Sequence, residues 1–310
     1  MYNSCVYRKS VIIHPSKKDQ SGFTLIELSI VLVIIGLIVG GVLVGRDLIN
    51  AAAIRAQIAQ IEKYQTAVNT FRGKYGYLPG DIKDPEASNF GFQARGQYNG
   101  EGDGNGIIEG TNSNSSGHQY GTIMGSETAV FWNDLATARL TDYPFNANFS
   151  ITLYVPNGVS MDNLFPGGKI GNGNYVYVWS GGPIAGHSND AGHNGLNYFG
   201  LSAVVSVVNG QMTSNPGLTV QQAASIDAKI DDGFPQGGNV TAMYLGPAAN
   251  TPYVTWAGTT TDLSGPWTSA TPASSTTCFD NGNAANAAQQ YSLGQSGGAN
   301  VNCALSFRFQ

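Results

Sequence analysis

The sequence predicts an α+β protein in which one long N-terminal helix packs on an antiparallel β-sheet head. Three observations predict it. An apolar run from Phe23 to Val44 continues without a break into a helically spaced stripe of apolar residues. The rest of the chain holds most of its 41 glycines and falls into short alternating segments separated by turn residues. Two cysteines, Cys278 and Cys303, stand near the C-terminus of what reads as exported chain, where an oxidising compartment favours a disulfide over two free thiols.

Residues 1–22 read as a leader carrying Arg8, Lys9, Lys17 and Lys18 against Asp19, a net +3, so the chain's −5 leaves −8 on residues 23–310. The junction is Gly22-Phe23-Thr24-Leu25-Ile26-Glu27-Leu28-Ser29, and Glu27 is the single charge between Phe23 and Val44. At 1.5 Å per residue that span covers about 33 Å, enough to cross a bilayer core. Lys17 and Lys18 just before it favour a cytoplasmic leader. A carboxylate so placed is costly in hydrocarbon and points to function. Two other readings are open on these residues. An ordinary signal peptidase would find its small residues at Ala51-Ala52-Ala53, and a plain membrane anchor would need no cut at all. Neither gives Glu27 a role.

The junction resembles the cleavage and methylation signature of type IV prepilins and type II secretion pseudopilins. The resemblance covers about the first 60 residues. It implies a prepilin peptidase and N-methyltransferase that cuts after Gly22 and methylates the new first residue, Phe23. It also implies that Glu27 is an assembly residue, pairing with the Phe23 amino group of a neighbouring subunit. A charge at the edge of hydrocarbon needs such a partner. The implied partners are other pilin or pseudopilin subunits, an inner-membrane assembly platform and membrane lipid. The implied location is the inner membrane in a single pass, with a periplasmic head, and then a periplasmic pseudopilus or cell-surface fibre.

Taken in order, residues 23–44 form the transmembrane half of the helix, 45–75 its amphipathic half and 76–310 the head. Gly36, Gly40, Gly41 and Gly45 make two back-to-back small-xxx-small arrangements, which suit close helix packing in lipid but are also ordinary for membrane helices. Ile54, Ile58, Ile61, Val68 and Phe71 carry the stripe onward, and the helix is expected to end near Gly73. Tyr75 to Asp81 then turns out of it, with Pro79 and Gly80 as breakers.

From Asn89 to Gly125 the chain is polar and glycine-rich. Within it Glu101, Asp103, Asn105, Gly106 and Glu109 resemble the first half of a calcium loop, with oxygen side chains at alternate positions followed by glycine. Position 112 is Asn where such a loop places a bidentate Glu, so a solvated turn is the competing reading. Calcium is the only cofactor with any support in the sequence. Glu127–Leu140 is expected to be helical, as is a segment from Thr219, whose Thr219-x-x-Gln222 forms a capping box, to about Ile230. Strands are expected at Ile151–Val155, Tyr175–Trp179, Leu196–Val208, Ala242–Leu245, Tyr253–Trp256 and Cys303–Phe309.

No catalytic constellation emerges, and the chain does not read as an enzyme. His187 and His193 flank Asn189 and Asp190 without a third metal ligand, and no credible nucleophile elbow is present. Asp227, Asp231 and Asp232 sit at a helix C-terminus, where carboxylates meet the negative end of the dipole and need hydrogen bonds, a cation or water. An acidic exported portion is poorly suited to nucleic acid. The alternative to a fibre subunit is an anchored or secreted binding module for a glycan or surface, with Tyr175, Tyr177, Trp179, Trp256 and Trp267 lining its site or, as is commoner for strand aromatics, filling a core.

Overall fold

The computed structural model describes residues 22–96, 101–110, 124–142, 157–181, 194–246, 254–257 and 271–310. The chain divides into two compact units, Met1–Ile49 and Asn50–Gln310. Helix α1, Leu25–Tyr75, contributes to both. The leader, the expected strand at 151–155, His187, His193, Asn112 and Trp267 lie outside the described residues.

In the first unit not one residue of α1 is buried. Every Leu, Ile and Val from Leu25 to Ile49 has an exposed side chain, the condition of a helix whose packing partners belong to something other than its own chain.

The second unit encloses a single core. Helix α1 enters it with Ile54, Gln57, Gln60, Ile61, Tyr64, Ala67, Val68 and Phe71 buried, a stripe with steps of three and one. The helix ends at Tyr75, the bound given to its amphipathic half and two residues past Gly73. Gly76, at φ +81°, returns its N–H to the Arg72 carbonyl, and a residue without Cβ takes that conformation at no steric cost.

After α1 come the single-turn α2 (Glu86–Asn89), α3 (Ser126–Thr137), the single-turn α4 (Met161–Leu164), β1 (Asn174–Ser180) and β2 (Asn197–Val208). The chain continues with β3 (Gln211–Asn215), β4 (Leu218–Thr219), α5 (Val220–Ile230), β5 (Val240–Thr241), β6 (Met243–Leu245) and β7 (Val254–Trp256). It closes with β8 (Phe279–Asp280), β9 (Gln290–Tyr291), a 3₁₀ turn, β10 (Val301–Cys303) and β11 (Leu305–Arg308). The main sheet is antiparallel in the order β1-β2-β11-β5, and β3 pairs with the far half of β2.

The twelve residues of β2 organise this sheet. Its first half lies between β1 and β11, so Tyr198, Phe199 and Leu201 are buried, and its second half alternates towards solvent. Gly200 sits opposite Tyr177, and a Cβ there would lie 2.2 Å from the Tyr177 ring, so only glycine fits. One end of the core is an aromatic cluster: Tyr64 of α1 meets Trp132 of α3 at 4.8 Å, and Phe199 of β2 meets Phe309 at 4.4 Å. Two buried glutamines fasten α1 to the segment before β1. Gln60 Oε1 accepts from Lys169 N and its Nε2 donates to the Gly167 carbonyl, while Gln57 Oε1 accepts from Ile170 N.

The secondary structure departs from expectation at ends and breaks. Helix α3 stops at Thr137 rather than Leu140, because Arg139 turns left-handed at φ 58° and Leu140 N bonds back to the Leu135 carbonyl. The expected strand Cys303–Phe309 breaks at Ala304 into β10, which pairs with β4, and β11, which pairs with β2 and β5. Cys278 and Cys303 form a disulfide between residues 25 apart, and it encloses the β8–β9 hairpin.

Candidate functional site

The processing junction is open. Phe23 is 83% exposed, and Gly22 has nothing within 4 Å of where a Cβ would stand. Thr24 precedes the first helical residue, and its Oγ1 accepts from Glu27 N at 3.3 Å. The Glu27 carboxylate reaches back, and its Oε2 accepts from both Thr24 N and Thr24 Oγ1 at 2.8 Å. This is a reciprocal capping box, and it accounts for how Glu27 is held at the head of an apolar helix. The spacing Thr24-x-x-Glu27 carried that signal in the sequence, and our reading of Glu27 as an assembly residue overlooked it. Both hydrogen bonds use Oε2.

Further along α1, Gly36, Gly40, Gly41 and Gly45 have no atom within 4 Å of an added Cβ. Among the described residues nothing requires glycine at these four positions.

In the second unit, the residues of the suspected calcium loop are brought together around carboxylates the sequence did not single out. Glu101 and Glu109 are buried and Asp103 is exposed. Asn105 Nδ2 donates to Asp103 Oδ2 at 3.0 Å and to Glu109 Oε2 at 3.2 Å. Asp81, from the turn after α1, accepts from Gly104 N and Gly106 N, both at 2.8 Å. Glu127, from the first turn of α3, accepts from Gly102 N at 2.7 Å and Glu109 N at 2.8 Å. Carboxylate oxygens of Asp81, Asp103 and Glu127 thus lie within 4.8 Å of one another. Burial, with like charges beside it, pushes Asp81 up to about 6 and Glu127 well above the usual carboxylate range.

Beside this group, Arg95 Nη2 forks onto both oxygens of Asp134 at 2.7 Å, with both side chains buried, and Asp134 also accepts from Gly80 N at 2.7 Å. Glu127 and Asp134 lie seven residues apart on one face of α3. Together they hold the chain leaving α1 and the glycine-rich segment against that helix.

The carboxylates at the end of α5 are hydrogen-bonded. Asp227 accepts from Tyr291 Oη at 2.7 Å and Gly233 N at 3.1 Å, Asp232 from Phe234 N at 2.8 Å, and Asp231 from Asn239 N and Val240 N. The need for partners at this helix end is met by the protein's own donors. Burial is the first reason that Asp227 is pushed up to about 7, with Asp232 and Asp231 adding to it.

The aromatics considered for a glycan surface are core residues: Tyr177, Trp179 and Trp256 are buried, and Tyr175 is half-buried. Trp179 stacks on Tyr198 at 4.5 Å and donates Nε1–H to Ser306 Oγ.

Residues 17–43 match the family described as the prokaryotic N-terminal methylation motif. The chain carries the type IV prepilin signature. The motif supports a pilin- or pseudopilin-like precursor. The signature and the exposed apolar half of α1 together fit anchoring in a membrane. The matched residues take in Gly22, Phe23 and Glu27, and also Gly36, Gly40 and Gly41. A pilin-type motif points to a structural subunit rather than an enzyme. No curated protein and no solved structure matches the chain significantly.

Proposed function

We propose that the chain is a structural subunit of a type IV pilus or a type II secretion pseudopilus, serving protein secretion, adhesion or motility. The observation that carries the reading is the prepilin signature on an apolar helix half that buries none of its own side chains. In this reading the peptidase removes residues 1–22 and methylates Phe23. Residues 23–44 then hold the subunit in the inner membrane, with residues 76–310 in the periplasm, until the assembly platform draws it into a fibre.

Glu27 has two tasks in that cycle. Its Oε2 caps the helix through Thr24, and its remaining acceptor capacity receives the Phe23 amino group of the next subunit. A one-to-one pairing of this kind sets the axial stagger of the fibre. Gly36, Gly40, Gly41 and Gly45, open on the surface of the helix, allow neighbouring helices to approach closely. The experiment is to express Glu27→Ala and Glu27→Asp in the native host and assay sheared surface fibres or secreted proteins. The reading expects Glu27→Ala to be cut and membrane-bound yet missing from fibres, with partial recovery in Glu27→Asp. Normal incorporation of Glu27→Ala would overturn the pairing role.

The burial of Tyr177, Trp179 and Trp256 in the core supports the fibre reading over an anchored glycan-binding module that would use those three side chains.

A further inference from the structure

We propose that the hydrogen bond between Asp227 and Tyr291 is a proton-operated latch, which holds the β8–β9 hairpin closed on α5 in acid and loosens it as pH rises towards neutrality. The hairpin needs anchors. β8 and β9 are two residues long each, and they pair through Phe279 with Tyr291 and Asp280 with Gln290. An isolated hairpin is marginally stable at best in water. The Cys278–Cys303 disulfide ties the residue before β8 to β10. On the β9 side, Tyr291 Oη donates to Asp227 Oδ2 at 2.7 Å, and that bond joins the hairpin to the last turn of α5. One strand is thus held covalently, and the other by a carboxylate that can titrate.

The surroundings of Asp227 set against its charge. Asp227 and Tyr291 are both buried, at 0% and 7% exposure. Among the described residues no lysine or arginine forms an ion pair with Asp227, and Lys229 on the same helix is exposed. Asp231 and Asp232 stand beside it, with carboxylate oxygens of all three within 4.8 Å of one another. The elements packed on α5 (β4, β5, β9, β10 and the 3₁₀ turn) contain no charged residue, and Tyr291 is their one titratable group outside the disulfide. An ionised Asp227 is therefore a buried charge beside two like charges and without a counter-charge. The bonds from Tyr291 and Gly233 N offset this only in part, and burial above all pushes Asp227 up to about 7.

Once the hairpin moves away, water reaches Asp227 and its carboxyl returns to the ordinary value of about 4. The closed form thus binds the proton more tightly than the open one. Closure is firmest below about pH 4, weakens by up to about tenfold per pH unit between about 4 and 7, and changes little above that. A cavity of about 380 Å³, lined by Tyr291 with Asp280, Gln290, Ser292 and Gln295, gives water room beside the latch. A segment held by few hydrogen bonds opens without unfolding the rest of the head.

Hydrogen exchange of the full chain in detergent, read by mass spectrometry across this pH range, tests the latch. The result does not depend on whether the chain is cut or joins a fibre. Exchange in residues 279–292, taken relative to an unstructured peptide at the same pH, is expected to rise by at least about tenfold between about pH 5 and 7. The amides of β1 and β2 should show no such rise. Asp227→Asn keeps the acceptor for Tyr291 in neutral form and should hold the hairpin's relative exchange flat over the same range. Asp142→Asn, at an exposed carboxylate elsewhere, should leave the rise intact. A flat profile in the unaltered chain would overturn the latch. So would a rise that survives in Asp227→Asn, or one shared equally by β1 and β2. If Asp227→Asn does not fold, the hairpin of the unaltered chain set against its own β1 and β2 still decides.

Discussion

Helix α1 places two regions side by side in one element. From Leu25 to Ile49 it is apolar on all faces and buries none of them, whereas from Ile54 to Phe71 it is apolar on one stripe and buries that stripe against α3 and the sheet. The same backbone geometry serves opposite ends. An all-round apolar helix has its partners outside the chain, in lipid or in other copies, and a striped one finds them within. The two halves should therefore respond differently to the same kind of change.

The largest expected effect lies at the open end. Replacing Gly22 with a bulky residue should leave the leader attached and abolish export into any fibre, read as intact mass and as loss from the sheared fraction. In the buried half, Trp132→Ala should cost about 3–5 kcal/mol in denaturant unfolding of the full chain, since it empties a fully packed aromatic site. Leu32→Ala, at a position 68% exposed, should change that unfolding by less than about 0.5 kcal/mol yet reduce fibre assembly. A destabilised head in Leu32→Ala would break the comparison.

Smaller effects sharpen it. Opening the disulfide with Cys278→Ser and Cys303→Ser should lower stability by about 3.5 kcal/mol, the loop-entropy value for a 25-residue separation. Asp227 has a pH signature. Its folded value, about 7, stands above the ordinary carboxylate value, so the folded state holds the proton more tightly. The resulting stability is complete below about pH 4 and is lost as pH rises through 7. Asp227→Asn keeps the contacts to Tyr291 and Gly233 in neutral form. It should flatten this fall, standing above the unaltered chain at pH 8 and level with it at pH 4 in thermal unfolding. The smallest effect is expected at Thr24→Ala, which removes the capping box and should fray the first turn of α1 at a cost of about 1 kcal/mol, seen as faster amide exchange at Glu27, whose N–H the Thr24 hydroxyl accepts.

Much of this was legible in the residues because it is local. The length of α1, its stripe, the capping box at Thr219, whose Oγ1 does accept from Gln222 N at 3.1 Å, and the pairing of Cys278 with Cys303 were all read from spacing or from an expected compartment. What was missed depends on distant segments meeting. Gln57 and Gln60 are absent from the apolar stripe read in the sequence, and they are buried because the 167–170 backbone offers them N–H and C=O partners. Asp81 and Glu127 stand 46 positions apart and join Asp103 only once the chain leaving α1 folds back on α3. The missed box at Thr24 and Glu27 differs, since its signal was local and was outweighed by the functional weight placed on Glu27.

The most direct test of the central claim is the N-terminus of the chain, taken by mass spectrometry from membrane and sheared-surface fractions of cells with and without the prepilin peptidase. The account predicts a chain beginning at N-methylated Phe23 in normal cells and an uncut chain in cells lacking that peptidase. A chain beginning near Ile54, or one left uncut in normal cells, would contradict it.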